Sequence, residues 1–377
     1  MVPDPDEREL VEARRGTPLH VACWFGRLED AAALLAPRAG DAAAVAAAGA
    51  AAGAGAAMLE ARSLNGSTPI HWAAYRGSLE CVRLLIAAGA NIEAKGGFFD
   101  STPLFQACEM GHVEVARELA ARGARLESQS NKGSTAMHVA AWRGRLEAVR
   151  FLLDKGADAR AVSRGDHGQT PLHMACIYGH VDVVRELVRR LGPAALSARA
   201  EYDLQAVHFA ALYGYLEVLK FVLDEGGVSV ETIGGKTEST PLYQACERGH
   251  VAALEELVRR GARINATSKQ GATPLFIAAQ NGHEAAVARM LAFGADCAIA
   301  KPGGYSPLHT AVEHCRTGVV RALLIHGADV RKPTGDGRTP LAMAKPEEEA
   351  RFAEIRALLI NFGGGAMKLA PRAVRAS

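Results

Sequence analysis

The sequence predicts an all-α fold, an α-solenoid of short helix–turn–helix units joined by β-hairpin or turn fingers. The first observation behind it is the local grammar of TPLHMACIYGH, Thr170–His180. Thr170 is suited to accept a backbone N–H at a helix start, and Pro171 fits the first helical position, where no donor is needed. Leu172, Ala175 and Cys176 share one face of a short helix, and Gly179 supplies its left-handed exit. A second apolar stripe follows at Val181, Val184, Leu187 and Val188. The second observation is recurrence. TPLHVAC starts at Thr17, TPIHWAA at Thr68, TPLFQAC at Thr102, TAMHVAA at Thr135 and TPLHMAC at Thr170; QAVHFAA at Gln205, TPLYQAC at Thr240, TPLFIAA at Thr273, SPLHTAV at Ser306 and TPLAMAK at Thr339 complete ten copies. Successive starts are 51, 34, 33, 35, 35, 35, 33, 33 and 33 residues apart. A period of this size, held in register, marks a stack in which each unit touches its neighbours.

Taken in order, residues 1–15 read as a charged lead-in, polar and unlike a secretory signal. The solenoid runs over residues 16–363. In the first unit the second helix, Leu28–Leu35, leads into an Ala/Gly-rich insertion, 38–57, which accounts for the long first spacing. Its glycines oppose helix and no polar pattern marks a face, so a surface insertion is expected there. From Leu59 to Gly327 the units are regular. Leu84, Leu85, Leu119, Leu152, Leu153, Leu257, Leu291, Leu323 and Leu324 are expected to form the apolar seam of the outer helices. Gly-Ala pairs at Gly89, Gly123, Gly156, Gly261, Gly294 and Gly327 lead out of them. The sixth copy has Gln205-Ala206 in place of Thr-Pro; losing a hydroxyl cap costs about 1 kcal/mol. Unless Asp203 caps instead, a softer joint is expected near residues 199–215. The last copy carries Lys345–Glu349 and then Arg351, Glu354 and Arg356, the polar outer face a terminal unit needs. Residues 364–377 read as a flexible, mildly basic tail.

The motif T-P-L-H-x-A at a period near 33 resembles the ankyrin repeat, and the resemblance covers about Gly16 to Gly363. It implies a concave face built from finger tips and inner helices. It also implies that the histidines of the motif hydrogen-bond around the turn and between units.

A longer period overlies the short one. Ser101–Arg125 and Ser239–Arg263 agree at 17 of 25 positions, offset by 138 residues. Gln106/Gln244, Glu109/Glu247 and Arg125/Arg263 are agreements that generic repeat chemistry does not require. A duplicated block of four units explains them; two similar patches able to engage a repeating partner is the functional alternative.

Forty-three Lys and Arg against 41 Asp and Glu give a net charge of +2, so no general electrostatic drive toward nucleic acid or anionic lipid is expected. No apolar run approaches a membrane span. Seven cysteines without a framework spacing fit a reducing compartment, cytosol or nucleus. His20, His71, His138, His173, His208 and His309 hold the fourth place of the motif, and His112, His180, His250 and His283 follow the turn glycine. Groups placed once per unit are spread along a solenoid, whereas metal ligands and catalytic groups must converge. Cys23, Cys108, Cys176 and Cys246 replace a small packing alanine, and Cys81, Cys297 and Cys315 show no paired spacing. With no nucleotide-loop, hydrolase or zinc-site signature, no catalysis, cofactor or metal is expected.

The expected function is therefore a non-catalytic adaptor or scaffold, monomeric, that binds one or more proteins or peptides on its concave face. The alternative is the regulatory or substrate-recognition arm of an enzyme system such as a ubiquitin ligase or an acyltransferase. The resemblance places variable surface positions just before each turn glycine and at the finger tips. Those candidates are Trp24, Phe25, Tyr75, Arg76, Phe98, Phe99, Glu109, Trp142, Arg143, Tyr178, Tyr213, Glu247 and Arg248. Trp, Tyr and Arg are the residues that most often carry binding energy. They concentrate in the first six units, and the pairs turn polar from Glu247 onward.

Overall fold

The computed structural model describes residues 16–36, 56–165, 167–344 and 349–363. The lead-in, all but the end of the Ala/Gly-rich insertion, Lys345–Glu348 and the tail lie outside the described residues. The fold is all-α, and each motif copy opens an inner helix that is followed by an outer one. The chain forms two compact bodies, residues 1–192 and 193–377.

The first body holds repeats one to five. Their inner and outer helices are Pro18–Trp24 and Leu28–Leu35, Pro69–Arg76 and Leu79–Ala87, Pro103–Met110 and Val113–Ala121, Ala136–Trp142 and Leu146–Asp154, and Pro171–Ile177 and Val181–Leu191. The second body opens with the 3-10 turns Pro193–Ser197 and Glu201–Asp203. Repeats six to ten follow as Ala206–Tyr213 and Leu216–Glu225, Pro241–Arg248 and Val251–Arg259, Pro274–Asn281 and Glu284–Ala292, Pro307–Glu313 and Thr317–Ile325, and Pro340–Met343 and Glu349–Gly363. Within each body, inner helices pack on the next inner helix and outer helices on the next outer one.

The outer helices are too short to persist alone. Those of the central repeats bury residues at i, i+1 and i+4 instead: Cys81, Val82 and Leu85; Val115, Ala116 and Leu119; Ala148, Val149 and Leu152; Ala253, Leu254 and Leu257. The expected seam is thus present at Leu85, Leu119, Leu152, Leu257, Leu291, Leu323 and Leu324, while Leu84 and Leu153 are only half-buried.

Fingers join the repeats. Isolated antiparallel bridges close them at Gly96/Ser101, Ser163/Gln169 and Gly234/Ser239. Backbone bonds link several fingers to the next one within the same body, as from Asn131 N–H to Phe99 O at 2.8 Å and from Lys269 N–H to Thr237 O at 2.9 Å. The 138-residue offset recurs in this geometry. Gly97 and Gly235 have φ of 77° and 83°, and Asp100 and Glu238 both have φ of 45°. The Arg125 and Arg263 N–H groups each donate to a glutamate of the preceding finger, Glu93 and Glu231, at 2.7 Å.

In repeat six the helix still starts at Ala206. Asp203 does not cap it; its carboxylate is held by Arg199 at 2.9 Å. The Gln205 N–H instead donates to His208 Nδ1 at 3.1 Å. At the end of the chain's last repeat, Arg321 pairs with Glu354 at 2.5 Å and Arg356 donates to Ala344 O at 2.7 Å, so the polar face of that helix also ties it down.

Candidate interaction surface

The histidines account for themselves as structural groups. His20 Nδ1 accepts the Thr17 N–H at 3.1 Å, and its Nε2 donates to Ser67 O of the next finger at 2.9 Å. His71 does the same between Thr68 N–H and Ser101 O, at 3.1 and 3.0 Å. The second set bridges backward: His112 donates to Tyr75 O, His180 to Trp142 O and His283 to Glu247 O, at 3.0, 2.9 and 2.9 Å. Where histidine is missing, Arg145 and Arg316 reach Glu109 O and Gln280 O at 3.2 and 3.3 Å. A carbonyl only accepts, so Nε2 carries the proton in each, and His20 and His71, whose Nδ1 accepts a backbone N–H as well, are neutral rings. Among the described residues no three His, Cys, Asp or Glu side chains gather where they could hold a metal ion. No helix among them is long and apolar enough to cross a membrane.

Burial pushes His71 and His208 from an ordinary value of 6.5 down to about 4. The folded state therefore binds fewer protons than the unfolded chain as pH falls below 6.5. Stability from these rings is complete above pH 6.5 and is lost as pH drops through 4. At about 1.4 kcal/mol per pH unit the loss is on the order of 3 kcal/mol for each ring. Urea unfolding between pH 7 and 4 should show this decline, with a shallower slope for His71→Gln; equal slopes for variant and wild type would contradict the assignment.

The cysteines fill small interior places. Burial pushes the Cys108 thiol up to about 12 and raises those of Cys176 and Cys246, so all three stay protonated and unreactive. The sequence spacing does not show that Cys81 of the repeat-two outer helix lies against Cys23 of the repeat-one inner helix. The hydrogen bond between these thiols, together with burial, raises Cys23.

The aromatic candidates of the first body come together. Trp24 is 6% exposed and forms the floor with Trp72, ring centroids 5.4 Å apart at 69°. Tyr75 stacks on Trp24 at 5.7 Å, and the Arg76 guanidinium lies 4.9 Å from the same indole. Phe25 packs beside them under Arg27, 5.2 Å from its ring. The next cluster sits at the repeat-three finger. The two adjacent phenylalanines separate there: Phe98 points outward, 75% exposed, while Phe99 meets Phe105 at 6.2 Å and Trp142 edge-on at 5.9 Å. Trp142 continues to Tyr178 at 5.8 Å. Arg143 covers Trp142 at 4.2 Å and holds the buried Glu109 carboxylate at 2.6 Å.

Two adjoining clefts result, and both are lined by Phe99. One, of about 290 Å³, lies between Trp24, Tyr75, Phe98, Gln106, Glu109 and Arg143. The other, of about 90 Å³, lies between Phe105, Lys132, Trp142, Met174 and Tyr178. In the second body Tyr213 is 43% exposed, Arg248 is exposed and Glu247 is half-buried. The candidate residues leave out the fifth place of the motif. Trp72, Gln106, Val139 and Met174 hold that place and face the clefts. The chemical variety at this otherwise regular place is the signal that could have found them.

This is the architecture of a repeat protein that presents a lined trough. A family model described as ankyrin repeats in three copies matches residues 38–130, 88–163, 162–233, 208–301 and 242–334. The chain belongs to the ankyrin-repeat family, whose repeats are generally protein–protein interaction modules.

Proposed function

We propose that this chain is a non-catalytic adaptor or scaffold that grips a peptide or a protein segment on the concave side of residues 1–192. The observation that carries the reading is the pair of clefts sharing Phe99, walled by aromatic rings together with Arg143 and Lys132. Such residues combine large apolar area with polar handles and dominate binding energy at interfaces. Phe98 at the rim exposes a whole ring that no packing requirement explains, and Tyr178 is 45% exposed.

The test is a Phe98→Ala, Tyr178→Ala double variant of the full chain. Both rings reach solvent, so the fold should be intact by thermal melting. Replacing Arg143 would be a poorer test, because it strands the buried Glu109 carboxylate. Partners recovered with the wild-type chain should be lost from the variant, a weakening of about 30-fold or more for anchors of this kind. An unchanged partner set at matched protein levels would remove the reading.

A further inference from the structure

Ser101–Arg125 and Ser239–Arg263 differ in what reaches one shared glutamate, and in the second copy its carboxylate is left without an ion pair among the described residues. In repeat three Glu109 is neutralised from the next inner helix by Arg143, which donates to its carboxylate at 2.6 Å. In repeat seven the same glutamate is Glu247, and the residue at the place of Arg143 is Asn281. Asn281 donates to the Glu247 backbone oxygen at 2.8 Å, and His283 donates there too, at 2.9 Å. Neither reaches the carboxylate, and among the described residues no ion pair to Glu247 forms. Burial raises its pKa, and only the adjacent Arg248 opposes that. One turn earlier on the same helix stands Gln244, 4% exposed. Its Oε1 is buried with no hydrogen-bond partner among the described residues. Its amide reaches the base of the finger, where Nε2 lies 3.0 Å from the place a side chain on Gly235 would take. The repeat-three counterparts, Gln106, Glu109 and Gly97, line the 290 Å³ cleft together with Arg143. Residues three apart on a helix share a face.

We propose that repeat seven is a receptor for an arginine side chain of the protein partner, read by the Glu247 carboxylate and Gln244 Oε1. This rests on the protein-binding reading above. A half-buried carboxylate beside an orphaned buried acceptor calls for several N–H donors from one group, and a guanidinium supplies five in a fixed plane. The fit to the carboxylate is already made once in this chain, where Arg143 donates to Glu109 in repeat three. Leaving a buried acceptor unmade is costly, so the gain comes on binding.

The test uses a random dodecapeptide display library selected on the immobilised full chain. Peptides recovered by the wild-type chain should be enriched in arginine at one position. Asn281→Arg rebuilds the internal pair of repeat three and should close the receptor, weakening those peptides roughly 30-fold or more. Glu247→Gln should weaken them by a similar factor, with thermal melts showing both variants folded. The reciprocal Arg143→Asn strands the buried Glu109 carboxylate and so is read only with a thermal melt showing it folded; it should then add a second arginine-binding position, raising the stoichiometry of one such peptide from one to two. Peptides that bind but keep their affinity for Asn281→Arg and Glu247→Gln would overturn the receptor. If those same peptides are lost from Phe98→Ala, Tyr178→Ala, the aromatic clefts stand without it. A library that yields no binder removes both.

Discussion

Truncating Leu257 to alanine is expected to lower the unfolding free energy by about 2–5 kcal/mol. Leu257 is fully buried at the i+4 place of the outer helix Val251–Arg259, with Ala253 and Leu254 at i and i+1. That helix packs on the outer helices of the repeats before and after it. A truncation there therefore empties space between neighbours as well as within one repeat. Because nearest-neighbour packing holds a solenoid together, hydrogen exchange should show the adjoining repeats opening more readily too. Leu153→Ala is the control: it is half-buried, one place off the seam, and should cost well under half as much. Equal losses for the two would mean that the seam is not where the outer helices gain their stability. Denaturant titration followed by far-UV circular dichroism measures both.

Replacing Gly77 with alanine is expected to cost about 2–4 kcal/mol, from left-handed strain together with a lost inter-repeat hydrogen bond. Gly77 has φ of 76°, and a methyl group built on it would lie 2.5 Å from His112 Nδ1. The imidazole would have to leave the Tyr75 carbonyl it now reaches at 3.0 Å. Gly89 separates the two causes, for it has φ of 94° with no atom within 4 Å of the same added carbon. Gly89→Ala should show the backbone strain alone, about 1–2 kcal/mol. If the two substitutions cost the same, the turn glycine that lies under the bridging histidine of the next repeat is there for the turn only. Thermal or urea unfolding of the pair, side by side, decides it.

Much of this was legible from residue types and spacing. Thr, Pro and Gly at fixed places set helix starts and exits, because their constraints act within a turn of the chain. The observed inner helix Pro171–Ile177 accordingly follows its threonine and stops short of Gly179. The structural role of the histidines was also readable, since a group repeated once per unit cannot converge on a point. Other features depend on contacts between residues more than 30 positions apart. The closeness of Cys23 and Cys81, the Phe99–Trp142 contact and the Arg143–Glu109 pair are of this kind. Phe98 and Phe99 are adjacent in sequence, yet packing sends one ring outward and the other into the wall.

By itself, then, the order of residues determined that this chain is a stack of helical pairs with fingers, and where each pair begins. Local backbone preferences and a repeating apolar stripe suffice for that. Which side chains line the clefts, and that Glu109 is paired within the chain while among the described residues no ion pair to Glu247 forms, was decided only by tertiary structure. Charge compensation and burial depend on what the next repeat brings alongside, and two nearly identical segments acquire different chemistry when that neighbour is Arg143 in one case and Asn281 in the other.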